Sequence, residues 1–245
     1  MTDAPNGPSF VAGATGYVGR EVVRTLAERG APVVAHVRPD SSRLAEWRER
    51  FAAMGAAVDA TPWDEDAMAD ALRRLRPAVV YALLGTTRAR GREAARRGAR
   101  ETYESVDYGL TALLLRAARS AGADTGVVPR FVYLSSAGVG PGSRNPYIAV
   151  RWRMEEELRA SGIPFTIARP GFITGPDREE SRPLERIAAA VGDALLGAAA
   201  ALGARGLRDQ WGSTTGRALA AALVRLADDP RAAGTVAAGS ALRGG

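Results

Sequence analysis

The sequence predicts an α/β fold: a doubly wound, mainly parallel sheet with a small C-terminal lobe. Three observations predict it. Short apolar runs alternate with amphipathic stretches of helical length six times between Ser9 and Gly171. The first alternation turns through three glycines. After Gly175 the chain becomes polar and turn-rich, then alanine-rich. With 245 residues, 46% of them hydrophobic, there is apolar material for one full domain and a lobe. The expected division is a flexible N-terminus over 1–8, a main domain over 9–175 and a lobe over 176–245 packed on it as one structural unit.

The first unit runs from Ser9 to Glu21. Phe10, Val11 and Ala12 read as a short buried strand, and the chain then turns through Gly13, Gly16 and Gly19. Val18, Val22, Val23 and Leu26 fall on one helical face, and Gly30 is placed to end the helix. Strand, glycine turn and helix together make an anion site. The first glycine permits the tight turn, the second lets backbone approach a pyrophosphate, and the third lets helix and strand pack closely. The spacing is G-x-x-G-x-x-G, which moves the glycines without changing that logic.

Ala31 to Val37 reads as the second strand, ending in Arg38-Pro39-Asp40-Ser41-Ser42-Arg43. An acidic residue at this point would bind the adenosine ribose of NAD. Arg38 stands there instead. A guanidinium grips a 2′-phosphate with two hydrogen bonds where a carboxylate would repel it, so the reading is NADP(H). Leu44 to Met54 is a helix. Ala56 to Asp59 is a short strand whose last residue, Asp59, meets the adenine edge or serves as a turn residue. Asp64 to Leu75 is a helix, and Ala78 to Leu84 an apolar strand running into Gly85-Thr86-Thr87. Gly85 there lets backbone approach a cofactor, and threonine hydroxyls reach phosphate or ribose. The arginine-dense run 88–100 lies beyond a strand's carboxyl end; it is either a solvated helix start or a loop over an anionic ligand.

Thr102 to Ala121 reads as a long helix with an apolar face of Leu110, Leu113, Leu114 and Ala117. Arg130 to Leu134 is the fifth strand and leads into Ser135-Ser136-Ala137-Gly138. The next helix carries Tyr147 and Arg151 four apart on one face. Phe165 to Ala168 is the sixth strand, entering Arg169-Pro170-Gly171. Beyond it, Leu184 to Leu202 and Thr214 to Asp228 read as helices and Gly234 to Ala238 as a short strand.

Composition narrows the function. The chain has no cysteine, which excludes disulfides and cysteine-based metal sites. His36 is the single histidine, so no multi-histidine metal site is available. All 33 basic residues are arginine, and with 27 acids the net charge is +6. The arginines are spread along the chain among the acids, which describes a basic surface rather than a nucleic-acid site. Met1 to Pro8 has no signal-peptide pattern. The apolar run Ile187 to Ala204 is mostly alanine and carries Asp193, so no membrane span is expected. The expectation is a cytoplasmic protein, monomer or homodimer, acting on a small molecule.

Read as a set, Gly-Ala-Thr-Gly-Tyr-Val-Gly at 13–19, Arg38, Leu-Gly-Thr-Thr at 84–87, Ser-Ser-Ala-Gly at 135–138, Tyr147 and Arg-Pro-Gly at 169–171 resemble the short-chain dehydrogenase/reductase superfamily. Val58-Asp59 and the Ser-Arg-Pro at 181–183 make it similar to the atypical branch of the NADP-binding human Tat-interacting-protein family. The resemblance covers about residues 9 to 230. It implies a Rossmann-like fold and NADP(H), held by Gly13, Thr15, Gly16, Tyr17, Val18, Gly19, Arg38, Asp59, Leu84, Gly85, Thr86, Pro170 and Gly171. It also implies that Tyr147 gives or takes a proton at the substrate oxygen and that Ser136 holds that oxygen, with Ser135 the second candidate. The family's lysine falls at Arg151, a departure. Arginine keeps the charge and donors for ribose hydroxyls but does not relay protons. The activity implied is a carbonyl/alcohol oxidoreductase. The alternatives are a catalytically silent NADP(H)-binding sensor or interaction protein, and a non-redox isomerase or cyclase.

Overall fold

The computed structural model describes residues 7–86, 101–174 and 213–243. Seven parallel strands form the main sheet: β1 (Ser9–Ala12), β2 (Val33–His36), β3 (Ala57–Asp59), β4 (Val79–Ala82), β5 (Arg130–Leu134), β6 (Phe165–Arg169) and, from far along the chain, Thr235–Ala238. Their order is β3-β2-β1-β4-β5-β6 with Thr235–Ala238 outside β6. The order reverses between β1 and β4, and ligands of open parallel sheets bind at the carboxyl side of such a switch point. The sheet is the Rossmann-like architecture expected.

Side chains alternate between its faces with period two. Val11, Ala35, Tyr81, Val132 and Ala168 face one layer of helices: α1 (Tyr17–Glu28), α2 (Leu44–Ala53) and the late helix Gly216–Asp228. Phe10, Val80, Phe131, Tyr133 and Ile167 face the other: α3 (Glu65–Leu75), α4 (Thr111–Thr125) and α5 (Pro146–Ala160). The helix Gly216–Asp228 is α6. A two-stranded parallel ribbon pairs β7 (Ile173–Thr174) with β8 (Thr214–Thr215), so Thr235–Ala238 is β9.

Local signals explain most boundaries. Val18, Val22, Val23 and Leu26 of α1 are all buried, and Gly30, at φ +69°, closes the helix by donating its N–H to Ala27 O at 2.9 Å. Asp64 caps α3 by accepting from Ala67 N, and Asn145 caps α5 by accepting from Tyr147 N and Ile148 N.

Three expectations change. The helix expected from Thr102 opens instead as a π-helical segment, Tyr103–Leu110, and becomes α-helical only at Thr111. Its extra residue per turn rotates the apolar stripe: Leu114 and Ala117 are buried, while Leu110 and Leu113 are half-buried. The helix expected from Thr214 starts two residues later because Thr214–Thr215 pairs with Ile173–Thr174 and Thr215 caps it. Finally, Thr235–Ala238 extends the main sheet beside β6. The expected helix Leu184–Leu202, the turn-rich 175–183 and the arginine run 88–100 lie outside the described residues.

Candidate functional site

The glycine turn follows β1. Gly13 has φ +84°, and a Cβ there would stand 2.5 Å from Leu83 O. A Cβ on Gly19 would meet Gly13 O at 2.1 Å and Ala14 Cα at 2.9 Å, which is the close helix–strand approach read from the sequence. Gly16 donates its N–H to Gly13 O at 2.9 Å and is the N-cap of α1, with no side chain capping the helix and no acidic residue in its first turn. The first amides of α1 therefore present uncompensated positive dipole, the setting a pyrophosphate fits. Thr15 is half-buried and Val18 packs inward. Tyr17 does more than supply backbone. Its hydroxyl donates to Thr174 O at 3.3 Å, and its ring lies so close to Gly216 that a Cβ there would be 2.6 Å from it.

The residues expected at the adenosine end lie beyond β2 and β3. The Arg38 side chain is mostly buried and its Nη1 is 3.5 Å from Asp40 Oδ2. Asp59 accepts from Thr61 N and Thr61 Oγ1, each at 3.0 Å, so the turn role is filled; its carboxylate also lies 4.0 Å from His36 Nε2. His36 is buried, bonded to Thr61 O at 2.8 Å, with its ring edge-on to Trp63.

The chemistry-bearing groups lie along α5. Tyr147, Arg151, Glu155 and Arg159 recur every four residues, one stripe of the helix. Tyr147 sits in the first turn, half-buried, its ring edge-on to Tyr103 at 5.2 Å between centroids. The guanidinium carbon of Arg151 lies 5.1 Å from the centre of the Tyr147 ring. Arg151 is 5% exposed and its terminal nitrogens are fully engaged. Nη2 donates to Asp107 Oδ1 at 2.6 Å and Leu84 O at 3.2 Å; Nη1 donates to Leu134 O and to Tyr133 OH at 3.4 Å. One guanidinium thus ties the end of β4, the end of β5 and the π-helical segment together. Only Nε, buried, has no acceptor. The ribose-donor role expected of Arg151 thus finds none of its terminal nitrogens uncommitted. Burial alone would lower the Arg151 pKa; Tyr133, Tyr147 and Asp107 outweigh it and hold the group charged. Burial pushes Tyr133 up to about 12, the Arg151 charge opposing.

The two serines part company. Ser135 is buried and donates to Glu155 Oε1 at 2.6 Å. Ser136 is half-buried, its Oγ on Ala137 O at 3.3 Å. Glu155, wholly buried, also accepts from Arg159 at 2.8 Å and from Arg169 Nε at 2.9 Å, fixing the strand end that precedes Pro170 and Gly171. Pro170 O accepts from Ala137 N at 2.8 Å, which joins the two strand-end loops.

Sequence reasoning missed Asp107, which is 1% exposed. Its Oδ2 accepts from Thr86 N at 2.9 Å and Thr86 Oγ1 at 2.6 Å while Oδ1 holds Arg151. A Cβ on Gly85 would meet Arg151 Nη2 at 3.3 Å and Asp107 Oδ1 at 3.6 Å, so a side chain there would crowd the buried pair. The available signal was a lone carboxylate on the same helical stripe as Leu114.

The family model for NAD(P)H-binding proteins matches residues 13–195, more than half of the chain. The chain belongs to that family. Among curated relatives, protein fmp52-1, mitochondrial, of Aspergillus terreus is 35% identical over 182 residues, covering 72% of this chain and 70% of the relative. Protein FMP52, mitochondrial, of Coccidioides immitis is 32% identical over 197 residues, covering 75% and 72%. A solved short-chain dehydrogenase/reductase-family oxidoreductase from Burkholderia thailandensis superposes with TM-score 0.66 at 18% identity, covering 94% of this chain and 89% of that one. Leucoanthocyanidin reductase from Vitis vinifera, solved as a binary complex with NADPH, superposes with TM-score 0.61 at 17% identity, covering 94% and 67%. These two share the fold. The relatives correct one expectation. With neither a signal-peptide pattern nor a membrane span in the sequence, the expectation is a cytoplasmic location, yet the curated fungal relatives are named as mitochondrial proteins. Among the described residues, no helix is long and apolar enough to cross a membrane, and no cluster of histidine and carboxylate side chains is suited to a metal ion.

Proposed function

We propose that the protein is an NADP(H)-dependent oxidoreductase of the short-chain dehydrogenase/reductase type, acting on a carbonyl or alcohol with Tyr147 as acid/base. The observation that carries this is a phenol stacked on a permanently charged guanidinium, Tyr147 over Arg151, next to the ends of β4 and β5. That is the sheet edge from which the glycine turn opens. When bound, the dihydronicotinamide supplies a hydride. The turn Gly13–Gly19 and the α1 amides hold the pyrophosphate, Arg38 a 2′-phosphate, and Leu84, Gly85, Thr86, Pro170 and Gly171 flank the nicotinamide half. The NADPH of the Vitis vinifera neighbour supports the phosphorylated cofactor.

Ser136 orients the substrate oxygen; Ser135 is unsuited because its hydroxyl is held by Glu155. As the carbonyl carbon gains hydride, its oxygen gains charge, and the Tyr147 O–H donates its proton there. Arg151, itself held against Asp107, is the cation beside the phenolate left behind. Substrate choice falls to the run 88–100 and to the segment after 175 that precedes β8. Fluorescence titrations with NADPH and NADH test the cofactor: tight NADPH and weak NADH binding is expected, and equal binding removes Arg38 from its role. Tyr147→Phe is expected to abolish turnover while leaving NADPH affinity within about threefold; full retained activity overturns the assignment.

A second reading, cofactor binding without hydride transfer, rests on Arg151 having every terminal N–H committed to protein acceptors. NADPH binding with no oxidation across a broad carbonyl panel selects it.

A further inference from the structure

We propose that Asp107 is a positioning residue of this site, setting through Arg151 the charge that Tyr147 feels and fixing through Thr86 the turn that follows β4. The proposal rests on the acid/base reading of Tyr147. Its grounds are geometric. Asp107 and Arg151 are buried against each other, with side chains 1% and 6% exposed and a 2.6 Å contact. The other carboxylate oxygen holds both the N–H and the hydroxyl of Thr86. Asp107 itself is held by its place in the π-helical segment, and Thr111 Oγ1 donates to its carbonyl at 2.9 Å.

The consequence is electrostatic. A lone lysine beside the tyrosine acts as an unopposed cation. Here the cation faces a carboxylate inside a low-dielectric pocket, so Tyr147 meets a near-neutral pair instead of a full charge. The carboxylate therefore offsets part of the positive charge that Arg151 presents to the Tyr147 ring. Among the described residues, the titratable groups facing Tyr147 and Arg151 are Tyr103 and Asp107 from the π-helical segment and Tyr133 from β5. Asp107 is the one carboxylate of the three.

The test reads Tyr147 directly. Phenolate absorbance near 295 nm is followed against pH, and the Tyr147 signal is taken as the difference from the matching Tyr147→Phe protein. No cofactor or substrate is present. In D107N the isosteric amide removes the counter-charge, and the Tyr147 midpoint is expected to fall by about one pH unit. A titration superimposable on the wild type overturns the proposal. A lone buried charge can prevent folding, so D107N/R151Q, which buries no net charge, is the second variant. Its midpoint is expected within about half a unit of wild type because the two removed fields oppose each other. A rise of a unit or more shows that Arg151 acted unopposed, and overturns the proposal. These readouts need no turnover. Loss of NADPH binding or of activity in the wild-type protein would defeat the oxidoreductase reading separately.

Discussion

Replacing Arg151 by lysine restores the residue that the superfamily pattern calls for, and the structure says that it will harm the protein. Arg151 satisfies four acceptors with its four terminal N–H groups: Leu84 O, Leu134 O, Tyr133 OH and Asp107. An ammonium has three protons and no planar fork, so at least one buried acceptor loses its donor. A buried acceptor left without a partner costs about 1–3 kcal/mol. For a chain of this size, each kcal/mol moves the melting temperature by roughly 2–4 °C. The expected fall for Arg151→Lys is therefore about 2–12 °C, measured by circular dichroism and checked by a lower urea midpoint with an unchanged slope. Turnover should fall as well, since the ends of β4 and β5 are no longer bolted together. A variant that melts at or above the wild-type temperature refutes the account of Arg151 as a four-way tie, because lysine would then satisfy the site as well as arginine.

Other expectations follow from the same geometry. Gly19→Ala places a methyl 2.1 Å from Gly13 O, so the turn must open; NADPH affinity should fall at least about tenfold, and unchanged binding by titration would show that the turn holds no phosphate. Glu155→Ala leaves Arg169 and Ser135 without their buried partner and should cost about 3–5 kcal/mol in urea unfolding; a loss under 1 kcal/mol would mean that water replaces the carboxylate. Tyr133 ionises at about 10 when unfolded and about 12 in the fold. Its contribution is complete below pH ~10 and is lost as pH rises toward ~12, a decline of about 2–3 kcal/mol. Burial raises Tyr81 the same way, so Tyr133→Phe should flatten only part of that decline in urea midpoints measured from pH 9 to 12.

Most of the fold was legible because its signals are local. Strand Arg130–Leu134 was read to the residue, and the α1 face by its spacing, since both depend on apolar periodicity alone. The π-helical opening at Tyr103 was not legible, because no propensity distinguishes an i+5 from an i+4 turn. The site divided in the same way. Glycines at 13, 16 and 19 announce themselves by type, and Tyr147 and Arg151 by spacing. Asp107 and Glu155 do not, since a carboxylate in a helical stretch reads as solvated until its partners are known. Asp107 is buried because Arg151, forty-four residues on, meets it, and Glu155 because Arg169 at the end of β6 and Arg159 on its own helix close over it. Ser136 over Ser135 was a matter of which hydroxyl Glu155 captures, which sequence order alone does not fix.

The packing of α1 against α6 has a consequence for how the molecule comes into being. Val22, Val23 and Leu26 belong to the same buried cluster as Leu219, Ala220 and Leu223, and Tyr17 rests on Gly216. The helix that follows the glycine turn leaves the ribosome well before its cover, which lies nearly two hundred residues further along the chain. During the synthesis of nearly two hundred residues that apolar stripe faces water or whatever holds the nascent chain. Long-range closure of this kind makes folding slow and late. A nascent chain halted before α6 would carry the whole glycine motif yet lack the support that shapes it, so competence to take up a dinucleotide arrives only once α6 has been made.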